Sequence, residues 1–187
     1  MEFDRLLPPL AEEDHLCDSC AYSYPDITIE TATEFVRSMP DRYSDEIAAT
    51  SDTILRVRPD ERTWSVLEYL CHVRDVYTVG TIRLYRIRAE DRPTLEPMLN
   101  DLRTVRFRHN EHEPGPVLRE LGFAVAGCLD EVARVTDWDR VATRLPTEVR
   151  SARWQIRHLA HEGLHHLHDI ERVRAAVSAS AQRAARH

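Results

Sequence analysis

The chain has 187 residues, 42% of them hydrophobic and 30% charged, with 25 basic against 32 acidic side chains and a net charge of −7. That length fits one domain with a core large enough to need no cross-links, and the composition is that of a soluble globular protein. The acidic balance argues against a nucleic-acid partner, because affinity there comes mainly from neutralised phosphates.

No apolar run reaches membrane-spanning length, and the start MEFDRLLPPLAEED has no signal pattern, so the expected location is the cytoplasm, away from membranes. Every basic residue is arginine, and four cysteines do not suggest a disulfide framework.

In chain order, residues 1–28 read as an irregular leader with Pro8, Pro9, Pro25 and the pair Cys17–Cys20. A helical pattern follows from about Glu30 to Arg56, with Phe35, Val36, Ile47 and Leu55 as its apolar points, and Pro40 is expected to break or kink it. Thr63 is placed to cap a long helix from Trp64 to about Glu90, closed by Pro93. Residues 93–116 are polar and proline-punctuated, which suits a long connection. A third helix is expected from about Val117 to Val135, on a stripe of Leu118, Leu121, Val125, Leu129 and Val132. After a connection over 137–147, a fourth runs from about Glu148 to Val177, and residues 179–187 should fray. Strand signals are weak. The expectation is an all-α fold, a four-helix bundle over 29–178 with one or two long crossovers.

The fourth helix contains HEGLHHLHDI, His161 to Ile170, with four of the chain's ten histidines. At about 100° per residue, Ile156, Leu159, Gly163, Ile170 and Val177 share one side, the core side. His158, His161, His165, His168 and Arg172 fall opposite, where a four-helix bundle meets solvent. Glu162 and His166 sit on the flank of the apolar stripe. A carboxylate and an imidazole at i and i+4 can converge on one ion, with Asp169 placed to orient a ligand. Equally, both could be polar rim residues. A kink or π-bulge near Gly163 would instead bring in the pair His161 and His165.

A third ligand has to come from another helix. His72, in WSVLEYLCHVRDV, shares a face with Glu68, Tyr69, Val76 and Val79, and has acids at i−4 and i+3. Glu68 is a candidate to support it. Three protein ligands with an open position are the arrangement of a reactive site.

The segment from Trp64 to His72 and the helix with Glu162-x-x-x-His166-x-x-Asp169-Ile170 resemble the DinB-like, or YfiT-like, superfamily of metalloenzymes. The earlier position of the last-helix pair is histidine in most of that superfamily. Glu162 there is similar to the mycothiol-dependent maleylpyruvate isomerases. The resemblance spans roughly residues 30–177. It implies an up-down-down-up four-helix bundle, a divalent metal (zinc or nickel) on His72, Glu162 and His166, and frequently a homodimer. It also implies activation of a low-molecular-weight thiol such as mycothiol, bacillithiol or glutathione.

Such a site would suit thiol transfer to, or isomerisation of, a small-molecule electrophile. Metal-activated water would make a hydrolase instead, and a non-catalytic metal-binding stress-response protein is the third reading. Arg74, Arg83 and Arg86 are candidates to face acidic groups of thiol or substrate. Cys17-Asp18-Ser19-Cys20 has the spacing of half a zinc site. Its completion by His15 or a distant histidine, a redox role and a contribution to the main metal all stay open. Cys71 and Cys128 read as small core residues, and His109 and His112 as part of a solvated loop.

Overall fold

The computed structural model describes residue 7 and residues 9–184. Of the leader, residues 1–6 and Pro8 lie outside that range, as do residues 185–187 of the tail. Four long helices form the body: α1 (Ile29–Ala48), α3 (Val66–Ala89), α5 (Pro114–Val132) and α6 (Ala152–Ala184). Helices α1 and α3 each pack against both α5 and α6. The fold is thus the expected four-helix bundle, with α5 and α6 filling the space between the other two.

Helix α1 starts where Thr28 accepts a hydrogen bond from the Thr31 N–H (3.1 Å). It runs unbroken through Pro40, against expectation. An interior proline costs about 3 kcal/mol, but its neighbours Met39 and Tyr43 are fully buried. Each contributes roughly 1.5–3 kcal/mol by leaving water, so packing outweighs the local cost. The helix ends at Ala48, and the single turn α2 (Asp52–Leu55) takes up the rest of the expected span.

The cap of α3 is Ser65, not Thr63. Ser65 accepts from the Glu68 N–H (3.2 Å) while Glu68 accepts from the Ser65 N–H (2.8 Å), a reciprocal capping box. Thr63 instead completes a turn held by the Asp60 carboxylate.

Two connections carry more structure than their polar composition suggests. The expected loop over 93–116 contains α4 (Asn100–Arg106), a 3₁₀ turn at His109–Glu111 and the first turn of α5. Strands β1 (Val141–Thr143) and β2 (Val149–Ser151) form a small antiparallel hairpin, Ala142 opposite Arg150, so α6 starts at Ala152 and not at Glu148. At the other end α6 continues to Ala184, past the expected fraying point.

The leader departs most from its expected irregularity. Leu16 and Ser23 form a β-bridge, and Cys17, Tyr22 and Tyr24 are buried in the main core. Arg150 donates to the carbonyls of Ala11 (2.6 Å) and Leu10 (3.1 Å), and the Trp154 indole donates to Ala11 (3.0 Å). The leader is therefore strapped across α6. Cys71 and Cys128 are buried in the core, as their positions suggested.

Two glycines set how close α6 comes to its neighbours. A Cβ on Gly80 would lie 2.4 Å from Leu159 Cδ2, and one on Gly163 would lie 2.4 Å from the Tyr77 hydroxyl and 2.7 Å from Met39 Sδ. The Tyr43 hydroxyl also donates to the Gly163 carbonyl (2.9 Å). Gly163→Ala should cost about 1–3 kcal/mol through overpacking, in spite of alanine's better helix propensity. Urea unfolding checks this; an unchanged midpoint would show that α1 and α3 yield freely.

Candidate metal centre

The close approach of α3 and α6 sets His72 against the middle of α6. Its Nε2 lies 3.4 Å from Glu162 Oε2, and His166 Nε2 lies 3.5 Å from the same oxygen. Ligands at about 2.1 Å in a tetrahedral shell stand roughly 3.4 Å apart, so the two observed separations have the span that one ion requires. All three donor atoms lie within 4.8 Å of one another. The His166 Nδ1–H donates to Asp169 Oδ2 (2.7 Å), which turns the lone pair of Nε2 toward Glu162. Arg172 holds the other Asp169 oxygen. The donor set of two imidazoles and one carboxylate fits a divalent cation of borderline softness such as zinc.

The electrostatics follow from crowding. Burial pushes the Glu162 carboxyl up, but His158, His166 and His72 around it outweigh that and hold it well below the usual carboxylate range. Burial disfavours the charged form of His166, yet Asp169 and Glu162 raise it to about 9. His72 is lowered, chiefly by burial, with Glu162 opposing. In the absence of a cation, a buried Glu162 anion thus pairs with a protonated His166.

Glu68 does not support His72. Its two oxygens are taken by Arg58 (2.5 and 2.7 Å) and by the Ser65 N–H, because the helix cap claims the residue first.

The histidines assigned to solvent are the main correction. His161 is 7% exposed, and the side chains of His158 and His165 are 15% and 25% exposed; of the expected outward group His168, at 52%, and Arg172, at 60%, are open to solvent. The helical phase is correct, since α6 is regular throughout with no π-bulge. The leader covers the face that a bare bundle would leave open. The Tyr24 hydroxyl lies 3.1 Å from Nδ1 of both His158 and His161. Tyr22 stacks on His161 and Trp154 on His158. His161 and His165 accordingly lie with Cys17 and Cys20, and among the described residues neither shares a donor group with His72. Burial lowers His158 and His161 to about 4 each, leaving both neutral.

A cavity of about 860 Å³ opens beside the centre, lined by Glu162, His158, Arg83, Gln155, Trp64 and, from the leader, Leu10 among others. Of the three candidate arginines, Arg83 alone lines it. Arg74 pairs with Asp75 and Glu120, and Arg86 with Glu90. Burial lowers Arg83 to about 10, still cationic at neutral pH. Its Nε and both amide atoms of Gln155 are buried without a hydrogen-bond partner among the described residues. Gln155 gave no sequence signal, being one polar residue in a helix of many.

His109 is also misassigned by its polar neighbours. It is 1% exposed, with Nε2 3.4 Å from Asp75 Oδ2, while His112 is half-buried at the turn's edge.

A helix bundle with two imidazoles and a carboxylate converging beside a large pocket defines the class. The chain belongs to the DinB superfamily, whose sequence model matches residues 36–170. That span contains His72, Glu162 and His166 and excludes Cys17 and Cys20. Among solved structures, the chain is similar to YfiT from Bacillus subtilis, described as a probable metal-dependent hydrolase with an unusual four-helix bundle topology. Identity is 15%, the TM-score is 0.72, and the match covers 78% of this chain and 85% of that one. No curated protein matches. Among the described residues, no helix is long and apolar enough to cross a membrane.

Proposed function

We propose that the protein is a metal-dependent enzyme in which His72, Glu162 and His166 hold a divalent cation and a small acid-bearing electrophile binds in the adjacent cavity. The convergence of these three donors, with Glu162 itself on the cavity wall, carries the reading. A cation bound there would supply Lewis acidity, making a thiol or a water more acidic at neutral pH. Asp169 keeps His166 in the tautomer that presents Nε2. Arg83 and Gln155 offer unmatched donors to a carboxylate or similar acid group. Trp64, with Leu10 of the leader, supplies apolar wall that excludes water.

The nucleophile we favour is a low-molecular-weight thiol of the mycothiol type, for S-transfer or isomerisation. The supporting observation is room: about 860 Å³ is near the top of the range for small-molecule sites and accommodates a thiol cosubstrate together with its acceptor. Hydrolysis by activated water is the second reading, favoured by the likeness to YfiT. Zinc-loaded protein assayed on a panel of acid-bearing electrophiles with mycothiol, glutathione or no thiol separates them. Consumption that requires thiol supports transfer. Equal turnover without thiol replaces it with hydrolysis, and no turnover on any of them leaves a metal-binding protein without catalysis.

Arg83→Gln tests the acid-group contact. Losing a charge-assisted hydrogen bond of about 2 kcal/mol should raise KM for an acid substrate roughly 30-fold, with kcat much less affected. An unchanged KM would remove Arg83 from the binding site.

A further inference from the structure

We infer that Cys17, Cys20, His161 and His165 form a second, structural zinc site that fastens the leader to α6. Each residue offers one donor atom, and the four atoms lie within 4.8 Å of one another. Cys17 Sγ stands 3.4 Å from His165 Nδ1, against roughly 3.6 Å for sulfur and nitrogen sharing a tetrahedral zinc ion. Two thiolates and two neutral imidazoles make a closed set with no open position, the signature of a structural site. Zinc with two thiolates also carries no net charge, which suits a buried place. Binding releases the two thiol protons to solvent and involves no change of oxidation state.

Local structure presents these donors together. The Cys17 N–H donates to the Tyr22 carbonyl (3.0 Å) and the Ala21 N–H to the Cys17 carbonyl (2.8 Å), so the segment from Cys17 to Tyr22 folds back on itself. Ala21 adopts φ 57 to close this turn, a left-handed conformation unusual for a residue with a Cβ. On α6, His161 and His165 are four residues apart and share a face.

An independent observation points to a missing ligand atom. His161 Nε2 is buried without a hydrogen-bond partner among the described residues, although an orphaned polar atom costs about 1–3 kcal/mol. The Tyr24 hydroxyl, set between His158 Nδ1 and His161 Nδ1, has one proton to give. Donating it to His158 and accepting from His161 Nδ1–H leaves a lone pair on His161 Nε2, which a zinc ion satisfies. His165 is oriented the other way: Nδ1 faces Cys17 while Nε2 lies 3.5 Å from Asp169 Oδ2. Asp169 therefore stands behind both centres, holding His166 for one and His165 for the other. His15, the sequence candidate to complete the pair, sits instead against the rings of Tyr24 and His161.

The consequence is positional. Leu10, Ala11 and His15 line the cavity, so a zinc staple at Cys17 and Cys20 would fix one wall of the pocket. The site is separate from the His72 centre, and its test reads separately. Protein purified without an affinity metal column and equilibrated with zinc should hold two equivalents by elemental analysis. The C17S/C20S double variant should hold one, and His72→Ala should lose the other. Cobalt-loaded wild-type protein should show a sulfur-to-metal charge-transfer band and the intense visible bands of tetrahedral cobalt, both kept in His72→Ala. Because the cobalt spectrum needs no substitution at the cysteines, it holds even where the double variant fails to fold. A zinc content unchanged by C17S/C20S, a cobalt spectrum without the sulfur band, or a Cys17–Cys20 disulfide in freshly prepared protein would overturn the proposal.

Discussion

Alanine at His72, Glu162 or His166 should each empty the main centre and abolish turnover. Residues that merely orient a ligand change metal affinity by about 10–100-fold when removed. Loss of one of three direct donors should exceed that, and elemental analysis after gentle dialysis reads it. Glu162→Gln is the sharpest member of the series, because it keeps the shape of the side chain while removing the anion between the His72 and His166 nitrogens. Far-ultraviolet circular dichroism should show the bundle intact.

Glu162 has a competing partnership. Together with His158 and His161 it forms another group of donors within 4.8 Å. In that group the Tyr24 hydroxyl occupies Nδ1 of both imidazoles, and His158 Nδ1 is 3.9 Å from Glu162. His158→Ala should therefore keep the ion that His72→Ala loses. The opposite pattern would move the centre to the other side of Glu162.

The periodicity of α6 made the pairing of Glu162 with His166 legible, since Ile156, Leu159, Gly163 and Ile170 fixed the core side, and the structure brings His72 of α3 within 4.8 Å of that pair. The error concerned what lies opposite. Phasing identifies which residues share a face but not what covers it, and a four-helix bundle leaves one face of each helix open. Here the leader supplies a fifth layer through Cys17, Tyr22 and Tyr24, so His161 points at protein where solvent was expected. The signal available in advance was the pair Cys17–Cys20, whose need for two more ligands matched a surplus of histidines on α6. Glu68 illustrates the converse difficulty. Its place one turn before His72 suits a supporting role, but the i, i+3 relation to Ser65 equally marks a capping box, and Arg58 settles the competition.

Asp75→Asn should be the most damaging change away from the two centres, at about 3 kcal/mol or roughly 10 °C in Tm. Asp75 is buried on α3 and accepts from Arg74 Nε (2.8 Å) and Arg103 Nη2 (2.9 Å), with His109 Nε2 at 3.4 Å. An amide of the same shape leaves the Arg74 and Arg103 guanidinium groups facing a neutral group that cannot balance them. Burial alone would push the carboxyl up, but His109, Arg74 and Arg103 hold it down at about 2 against an ordinary 3.8. A carboxyl depressed on folding stabilises at any pH above its unfolded value, and that stability is lost as pH falls from 3.8 toward 2. The shift corresponds to about 2 kcal/mol. Urea midpoints of wild type and variant should therefore differ fully at pH 5 and converge as the pH falls toward 2; a constant gap would mean that shape, and not charge, sets the contribution. The same network ties α4 and the 3₁₀ turn to α3, and Leu99 to Leu102 at the start of α4 line the cavity. A loosened α4 would widen the pocket opposite the leader, so Asp75→Asn should also raise KM while both metal equivalents stay in place.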